Sequence, residues 1–468
     1  MDFNHHYQAI FKAYPDRVAG IDVSDNTITF AQFENAICSI ASKLIDLGVG
    51  ENTRICFAIP NEILCLAGCF AGLRLGAFVV FSIEPDALVK RGIDVDLVIS
   101  LADAPSKETR WEEFNQSWLS HPHKDFDFSA DGGVIAGSSG STGFRKYVIW
   151  TQEALMWRLR ATESYREAPT GTSLMGINLY TSYGGVHSFW VLFHGQGVMF
   201  PQETPEATLT ACQANNITEW VMPPLVLHDM VVEAEKLQSD LSMLQYINTG
   251  GAKIPAATLN KALEISNAKI VIVGGSAEIG YSSIGQYDPN TFVEGFAGKI
   301  LDGVEIEVID DAFQKLKPEE LGSIRIRLPD FARSVGYLES KPIYTEDGWF
   351  YSGDTGWITE DGMLIYQGRV DFLLNLNGDK FAPEIIEAYL ASALGLTNSV
   401  ALSVSQDLRP DKLGLLIEGN ADKEADISRA VIDKFGLGCE VDVKFVDQLP
   451  KNISGKLDRN KASSFFGS

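Results

Sequence analysis

Apolar and polar positions change period repeatedly along the chain. Ile28-Thr-Phe leads into a helix from Ala31 to Leu47 that Gly48 and Gly50 end, and Arg54 to Ile59 reads as a strand. Asn61, after Pro60, is placed to cap a helix that runs to a stop at Gly76, and Ala77 to Ile83 is the next strand. The rhythm returns with Asn216 to Val221 (strand), Pro224 to Lys236 (helix), a strand from Tyr246 into Gly250-Gly251, Pro255 to Ser266 (helix), and Ala268 to Val273 entering Gly274-Gly275. Strands alternating with helices of this length predict βαβ units and a mostly parallel sheet. Strand ends that run into paired glycines are where open α/β sheets place ligands. From about Gly303 the pattern shortens to strands such as Glu305 to Ile309 and Gly322 to Arg327, which predicts a β-rich subdomain. After Asp371 the order is helix (Pro383 to Ala393), strands (Ser399 to Ser403, Lys412 to Ile417), helix (Lys423 to Phe435) and strand (Glu440 to Val446), a separate small α+β domain.

Composition narrows this picture. With 468 residues, 45% apolar and 21% charged, the chain is globular and long enough for about three domains. Leu64 to Ile83 carries Arg74 as its sole charge, but a central Arg costs about 2.5 to 3.5 kcal/mol on insertion, and Gly68, Gly72 and Gly76 interrupt the run. A buried helix followed by a strand, with no membrane span, is the better reading. The net charge of −24 disfavours nucleic acid and anionic lipid as partners. Six cysteines without CxxC spacing predict buried thiols in a reducing compartment. The start lacks a basic segment followed by an apolar one, so a cytoplasmic location is expected. His5-His6 and His121/His123 form no ligand pattern and read as solvated loops.

Four segments carry candidate chemistry. Ser138, Ser139, Gly140, Ser141, Thr142 and Gly143, with Lys146 beyond, combine small residues, hydroxyls and a cation between two strand-like runs, a composition suited to wrapping backbone N–H groups around phosphate; alone, it also suits a flexible linker. It is neither a Walker A loop nor a GxSxG elbow. Gly274-Gly-Ser-Ala-Glu278 reads as a strand end, a glycine turn and one carboxylate, which can hold Mg²⁺ beside phosphate or face solvent at a helix start. Ser352-Gly-Asp354 offers a carboxylate after a tight turn for both hydroxyls of a ribose, with Arg369 nearby, or else a surface ion pair. Lys456, in Pro450-Lys-Asn-Ile-Ser-Gly-Lys456, is either a cation delivered to a site on another domain or part of an exposed basic tail.

Taken in order, these segments resemble the ANL adenylating superfamily of acyl- and aryl-CoA synthetases, nonribosomal-peptide adenylation domains and luciferases. Ile28-Thr-Phe-Ala-Gln-Phe, Leu73-Arg-Leu-Gly-Ala, Pro223-Pro224, Gly250-Gly251-Ala252, Gly322 to Ile326 and Gly368-Arg-Val-Asp371 add to the match. The resemblance implies a large N-terminal domain (1–370) that binds ATP and acid and a small mobile C-terminal domain (371–468). It implies a two-step ligase in which a carboxylate attacks the α-phosphorus of MgATP and a thiol then takes the acyl group. Lys456 would be the main catalytic residue of adenylation. Glu278 would hold Mg²⁺, Asp354 and Arg369 would bind ribose, and Gly250, Gly251, Ala252, Gly275, Ser276 and Ala277 would line the nucleotide site. Asp371 would be the hinge, and Gly378 and Lys380 would face the thiol.

The chain departs from the family at several points. Gly274 and Ala277 stand where an adenine-stacking aromatic and a phosphate-binding hydroxyl are usual, Arg145 replaces a Pro and Gln152 a His; weaker ATP affinity, or compensation by Ser276, is expected. Ser182 or a neighbour falls where amino-acid-activating members carry Asp, and no acidic residue lies between Leu179 and Phe200. An apolar pocket without a counter-charge disfavours an ammonium, which predicts a non-amino acid, aryl or short to medium acyl, with Ser182, His187, Trp190 and Pro224 as pocket walls. Coenzyme A is the expected acceptor. A carrier protein's phosphopantetheine is the alternative, and a non-catalytic nucleotide-binding homologue is a third reading.

Overall fold

The computed structural model describes residues 2–82, 88, 94–101, 110–137, 146–165, 167, 170–338, 342–369, 374–376, 379–381, 383–406, 409–419, 424–435, 437, 439–452 and 455–466. The larger sheet runs from Glu305–Ile309 through Gly322–Arg327, Trp349–Ile358, Met363–Arg369, Phe296–Ile300 and Gly280–Gln286 to Lys269–Ser276. It continues through Tyr246–Gly250, Ile217–Val221, Thr172–Met175, Gly197–Met199, Val18–Ile21 and Thr27–Thr29. Pairing is parallel from Val18–Ile21 to Lys269–Ser276 and antiparallel from there to the Glu305–Ile309 edge. The predicted α/β half and β-rich subdomain are therefore two ends of one sheet. A second sheet orders Gly336–Tyr337, Tyr147–Thr151, Gly133–Gly137, Phe78–Phe81, Arg54–Ala58, Leu97–Ser100 and Arg110–Glu113.

The helix Glu62–Arg74 starts where Asn61 Oδ1 accepts the Leu64 N–H at 3.0 Å, and nearly every residue of it is buried. A helix apolar all round belongs inside a layered core, and this one packs against Phe30–Asp46 and both flanking strands. Among the described residues no helix is long and apolar enough to cross a membrane. Arg74, 1% exposed, forks onto Glu34 through Nη1 (3.0 Å) and Nη2 (2.6 Å). Truncating one partner of a buried pair strands the other charge. Glu34→Ala should therefore destabilise the protein by about 3 kcal/mol or more, read as a lower urea midpoint.

The described residues between 374 and 466 form their own layer. Ser399–Gln406, Arg409–Glu418 and Val441–Val446 make one sheet, Leu374–Leu376 pairs with Asp379–Phe381, and the helices Pro383–Leu394 and Glu424–Phe435 cover a core that includes Ile386, Leu390, Leu415 and Val431.

Three expectations are corrected. His5 and His6 lie not in a loop but on the helix Phe3–Ala13, where Phe3, Tyr7 and Phe11 are buried and His6 stacks on Phe193 at 3.8 Å. Gly274-Gly275 do not turn the chain: the strand continues to Ser276, the turn falls at residues 277–279, and a strand follows it, not a helix. The reason is long-range, since Gly275 pairs with Tyr281 across an antiparallel hairpin. Asp354 likewise sits within the strand Trp349–Ile358.

Candidate active site

The site forms where the parallel strands end and the C-terminal layer comes to meet them. Tyr246–Gly250 ends at Gly250, and Gly251 follows at φ +81°, a conformation open to glycine. A Cβ on Gly251 would lie 2.8 Å from Lys456 Cε and Nζ, so glycine is what admits this lysine. Lys456 arrives on a tight loop: its N–H donates to Asn452 Oδ1 (3.1 Å), the Asn452 N–H donates to the Lys456 carbonyl (2.7 Å), and Lys451 bridges Leu457. The loop is docked by the Lys451–Asp229 ion pair on the helix Pro224–Lys236 and by Gly455 against Pro223 and Val226.

Around Lys456 the charges converge. Burial holds its ammonium below the ordinary lysine value, opposed by the carboxylates of Asp354 and Glu278. Asp354 is in register with Arg369 on the neighbouring strand, with Arg369 Nη1 at 3.4 Å from Oδ1. Burial pushes the Asp354 carboxyl up, while Arg369 and the Ser352 hydroxyl act against the rise. Glu278, in the hairpin turn, accepts from Tyr337 Oη at Oε1 (3.0 Å), and Tyr344 Oη donates to its carbonyl (3.1 Å). Trp150 Nε1 donates to the Ala277 carbonyl at 3.2 Å. The turn is thus held from three sides, and Oε2 of Glu278 has no hydrogen-bond partner among the described residues.

One cavity opens onto Lys456, lined by Gly137, Ser182, Tyr183, Val186, Gly251, Gly274, Gly275, Ser276, Ala277, Tyr281 and Lys456, among others; Asp354, Arg369 and Glu278 stand behind this lining. Ser276 Oγ is buried with no hydrogen-bond partner among the described residues, the mark of a donor reserved for something absent from the protein itself. A nucleotide with its metal fits this set: the Lys456 cation, the Glu278 carboxylate, the Ser276 hydroxyl and the Asp354–Arg369 pair.

The other expected residues distribute as follows. Lys146 is exposed, with Nζ 5.2 Å from the Tyr337 ring centre. Ala252 is exposed next to Gly251. Ser138, Ser139, Gly140, Ser141, Thr142, Gly143, Asp371 and Gly378 lie outside the described residues, and Lys380 is on the strand Asp379–Phe381. Of the four pocket walls, Ser182 lines the cavity, whereas His187, Trp190 and Pro224 are not among its lining residues. His187 stands one layer behind the wall, with Nδ1 on Oη of the lining Tyr281, whereas Trp190 Nε1 donates to Thr162 Oγ1 (2.9 Å) and Pro224 begins its helix. Gln152, the substitute for a His, is a structural clasp that donates to the Leu73 carbonyl (2.8 Å) and accepts from Asn4 (3.0 Å). Sequence reasoning missed Tyr337, Tyr344 and Arg158. For Arg158 a signal existed, a charge on the same helix face as the buried Ala154, Leu155 and Leu159.

Comparison with known proteins agrees with this chemistry. A family model described as AMP-binding enzyme matches residues 7–85 and 82–338. The chain is 24% identical over 496 residues to 2,3-dihydroxybenzoate-AMP ligase of Bacillus subtilis, covering 95% of this chain and 90% of that protein. Among solved structures, o-succinylbenzoate CoA synthetase of Bacillus subtilis, in complex with its acyl-adenylate intermediate, matches with a TM-score of 0.81 at 17% identity over 99% of this chain and 98% of that one. ATP-bound MatB of Rhodopseudomonas palustris matches with a TM-score of 0.82 at 20% identity over 100% and 99%. With its family's model matched over most of its length, the chain belongs to the AMP-binding enzymes of the ANL adenylating superfamily and is an AMP-forming acid–thiol ligase.

Proposed function

We propose that the chain activates a non-amino carboxylic acid, aryl or short to medium acyl, as its acyl-adenylate and passes the acyl group to coenzyme A. The observation that carries this reading is the convergence of the Asp354 and Glu278 carboxylates on Lys456, which lines the cavity, from segments far apart in sequence. A carboxylate attacking the α-phosphorus brings anion onto anion, so charge neutralisation dominates the barrier. Lys456 supplies a positioned cation, Asp354 with Arg369 fixes the ribose, and the Glu278 carboxylate would hold Mg²⁺. That metal, when bound, would neutralise phosphate charge. The acid enters between Ser182, Tyr183, Val186 and Tyr281. Among the described residues none of the cavity-lining side chains is acidic, so an ammonium between Ser182, Tyr183, Val186 and Tyr281 meets no counter-charge from them.

In this reading residues 1–370 bind the substrates and residues 371–468 swing about Asp371 after adenylation. The swing withdraws Lys456 and turns the loop of Gly378 and Lys380 toward the thiol. Acid-dependent exchange of pyrophosphate into ATP over a panel of aryl, fatty and amino acids tests the first step. Exchange with aryl or acyl acids and none with amino acids is expected. Thioester formation with free coenzyme A, compared with a phosphopantetheinylated carrier protein, tests the second. Strict dependence on the carrier would replace coenzyme A as acceptor, and exchange with amino acids alone would sink the acid assignment.

A further inference from the structure

Lys456 reaches the cavity on a short hairpin that is stiff in itself. Lys451 and Leu457 bridge across it, Asn452 exchanges two hydrogen bonds with Lys456, and the Asp458 N–H donates to the Pro450 carbonyl (2.8 Å). Both ends are tied to the C-terminal layer. The Leu449 N–H donates to Glu418 Oε2 (2.9 Å), and Arg459 Nη1 donates to Glu387 Oε1 (2.7 Å) and to the Ala401 carbonyl (3.1 Å). These ties set the hairpin within its own layer. Gly251, beside which Lys456 must stand, belongs to the other layer, where it follows the strand Tyr246–Gly250.

Lys451 supplies a hold between the two. Its ammonium pairs with the Asp229 carboxylate on the helix Pro224–Lys236, and the side chains are largely covered, at 19% and 26% exposure. Partial desolvation strengthens such a pair over one in open water. The anchor is firm, because Leu227, Met230 and Val231 of the same helix are buried in the core. Burial also holds the neighbouring His228 imidazole below its ordinary value, so at neutral pH it is uncharged and leaves Asp229 to Lys451. The cation that anchors and the cation that stands at Gly251 are thus parts of one stiff unit, and fixing the first aims the second.

We propose that Lys451 and Asp229 are the positioning pair of the adenylation step: Asp229 acts through Lys451 to set Lys456, and the pair parts when the C-terminal layer swings to the second step. This rests on the adenylation reading for the role of Lys456. A displacement of about 1 Å at a reacting group can cost about a hundredfold. Asp229→Ala is therefore expected to lower kcat for pyrophosphate exchange by between about ten- and a hundredfold, with the KM values for ATP and acid changed far less.

The test uses the full chain as wild type, Asp229→Ala, Lys451→Met, Lys451→Arg, Lys456→Ala and Asp229→Ala combined with Lys456→Ala, with thermal unfolding to establish that each folds. Asp229→Ala and Lys451→Met should lose exchange alike, and Lys451→Arg, which keeps a cation for Asp229, should recover most of it. In the Lys456→Ala background, Asp229→Ala should lower exchange no further, because the two act as a unit. Thioester formation from preformed acyl-adenylate should keep its rate in Asp229→Ala. Without substrates, trypsin should cut after Lys456 about threefold faster or more in Asp229→Ala than in wild type, since undocking exposes that lysine. Exchange that Asp229→Ala leaves unchanged, an equal loss in both half-reactions, or a further loss in the Lys456→Ala background overturns the assignment while adenylation stands. Faster cleavage in Asp229→Ala with no exchange by any acid in the wild type removes the adenylation reading and keeps the pair as the hold on the hairpin. Unchanged cleavage with no exchange overturns both.

Discussion

Lys456→Ala is expected to lower acid-dependent pyrophosphate exchange by about a thousandfold, the upper range for removing one preorganised charge from a transition state. The loss should appear in kcat, with ATP binding changed far less, because a compact cation contributes most where charge builds during transfer. Lys456→Arg should fail nearly as badly. Cε and Nζ pack against Gly251, and a planar guanidinium on a different stem does not put a compact point charge at the same place. The pH profile carries a second signature. Burial depresses the pKa of Lys456, and deprotonation removes the charge, so exchange should fall as pH rises through a value below that of an ordinary lysine. Under the proposed swing about Asp371, thioester formation from a preformed acyl-adenylate should survive the Ala variant. Equal loss in both half-reactions would mean that Lys456 serves the whole fold and not the first step.

How the site assembles was legible where local rules decide the backbone. Pro224 at the first helical position set the helix Pro224–Lys236, and the alternating pattern of Glu305–Ile309 and Gly322–Arg327 set both strands at their observed bounds. The Lys456 loop was readable because Asn452 and Gly455 close a tight turn within a few residues. What local rules could not decide was set by partners distant in sequence. Gly274-Gly275 looked like a turn and became strand because Gly280–Gln286 pairs with it. The helix Phe3–Ala13 carries apolar residues at 3, 7, 10 and 11, a helical face whose burial depends on Phe70 and Phe189 much later in the chain. His187 and Trp190 sit on a helix buried on every side, so composition could not say which of its faces meets the cavity. Arg158 required knowing that the hairpin turn at Glu278 folds over it.

Asp354→Ala should raise the KM for ATP by about a hundredfold or more, since hydrogen bonds to a charged acceptor contribute roughly 1.5 to 3 kcal/mol each and two ribose hydroxyls would be lost. Arg369, in register across the strand pair, would keep its charge without its carboxylate, which adds to the loss. Asp354→Asn keeps the shape and removes the charge, and an intermediate KM is expected. Wild-type protein should discriminate against 2′-deoxyATP while the Ala variant should treat the two nucleotides alike. The sign of the pH effect also follows. Burial raises the Asp354 pKa and protonation abolishes the acceptor, so ATP affinity should weaken on acidification at a higher pH than for an ordinary aspartate. An Ala variant that keeps both its KM and its discrimination against the deoxynucleotide would place the ribose elsewhere. The raised pKa would then reflect burial beside Arg369 and nothing more.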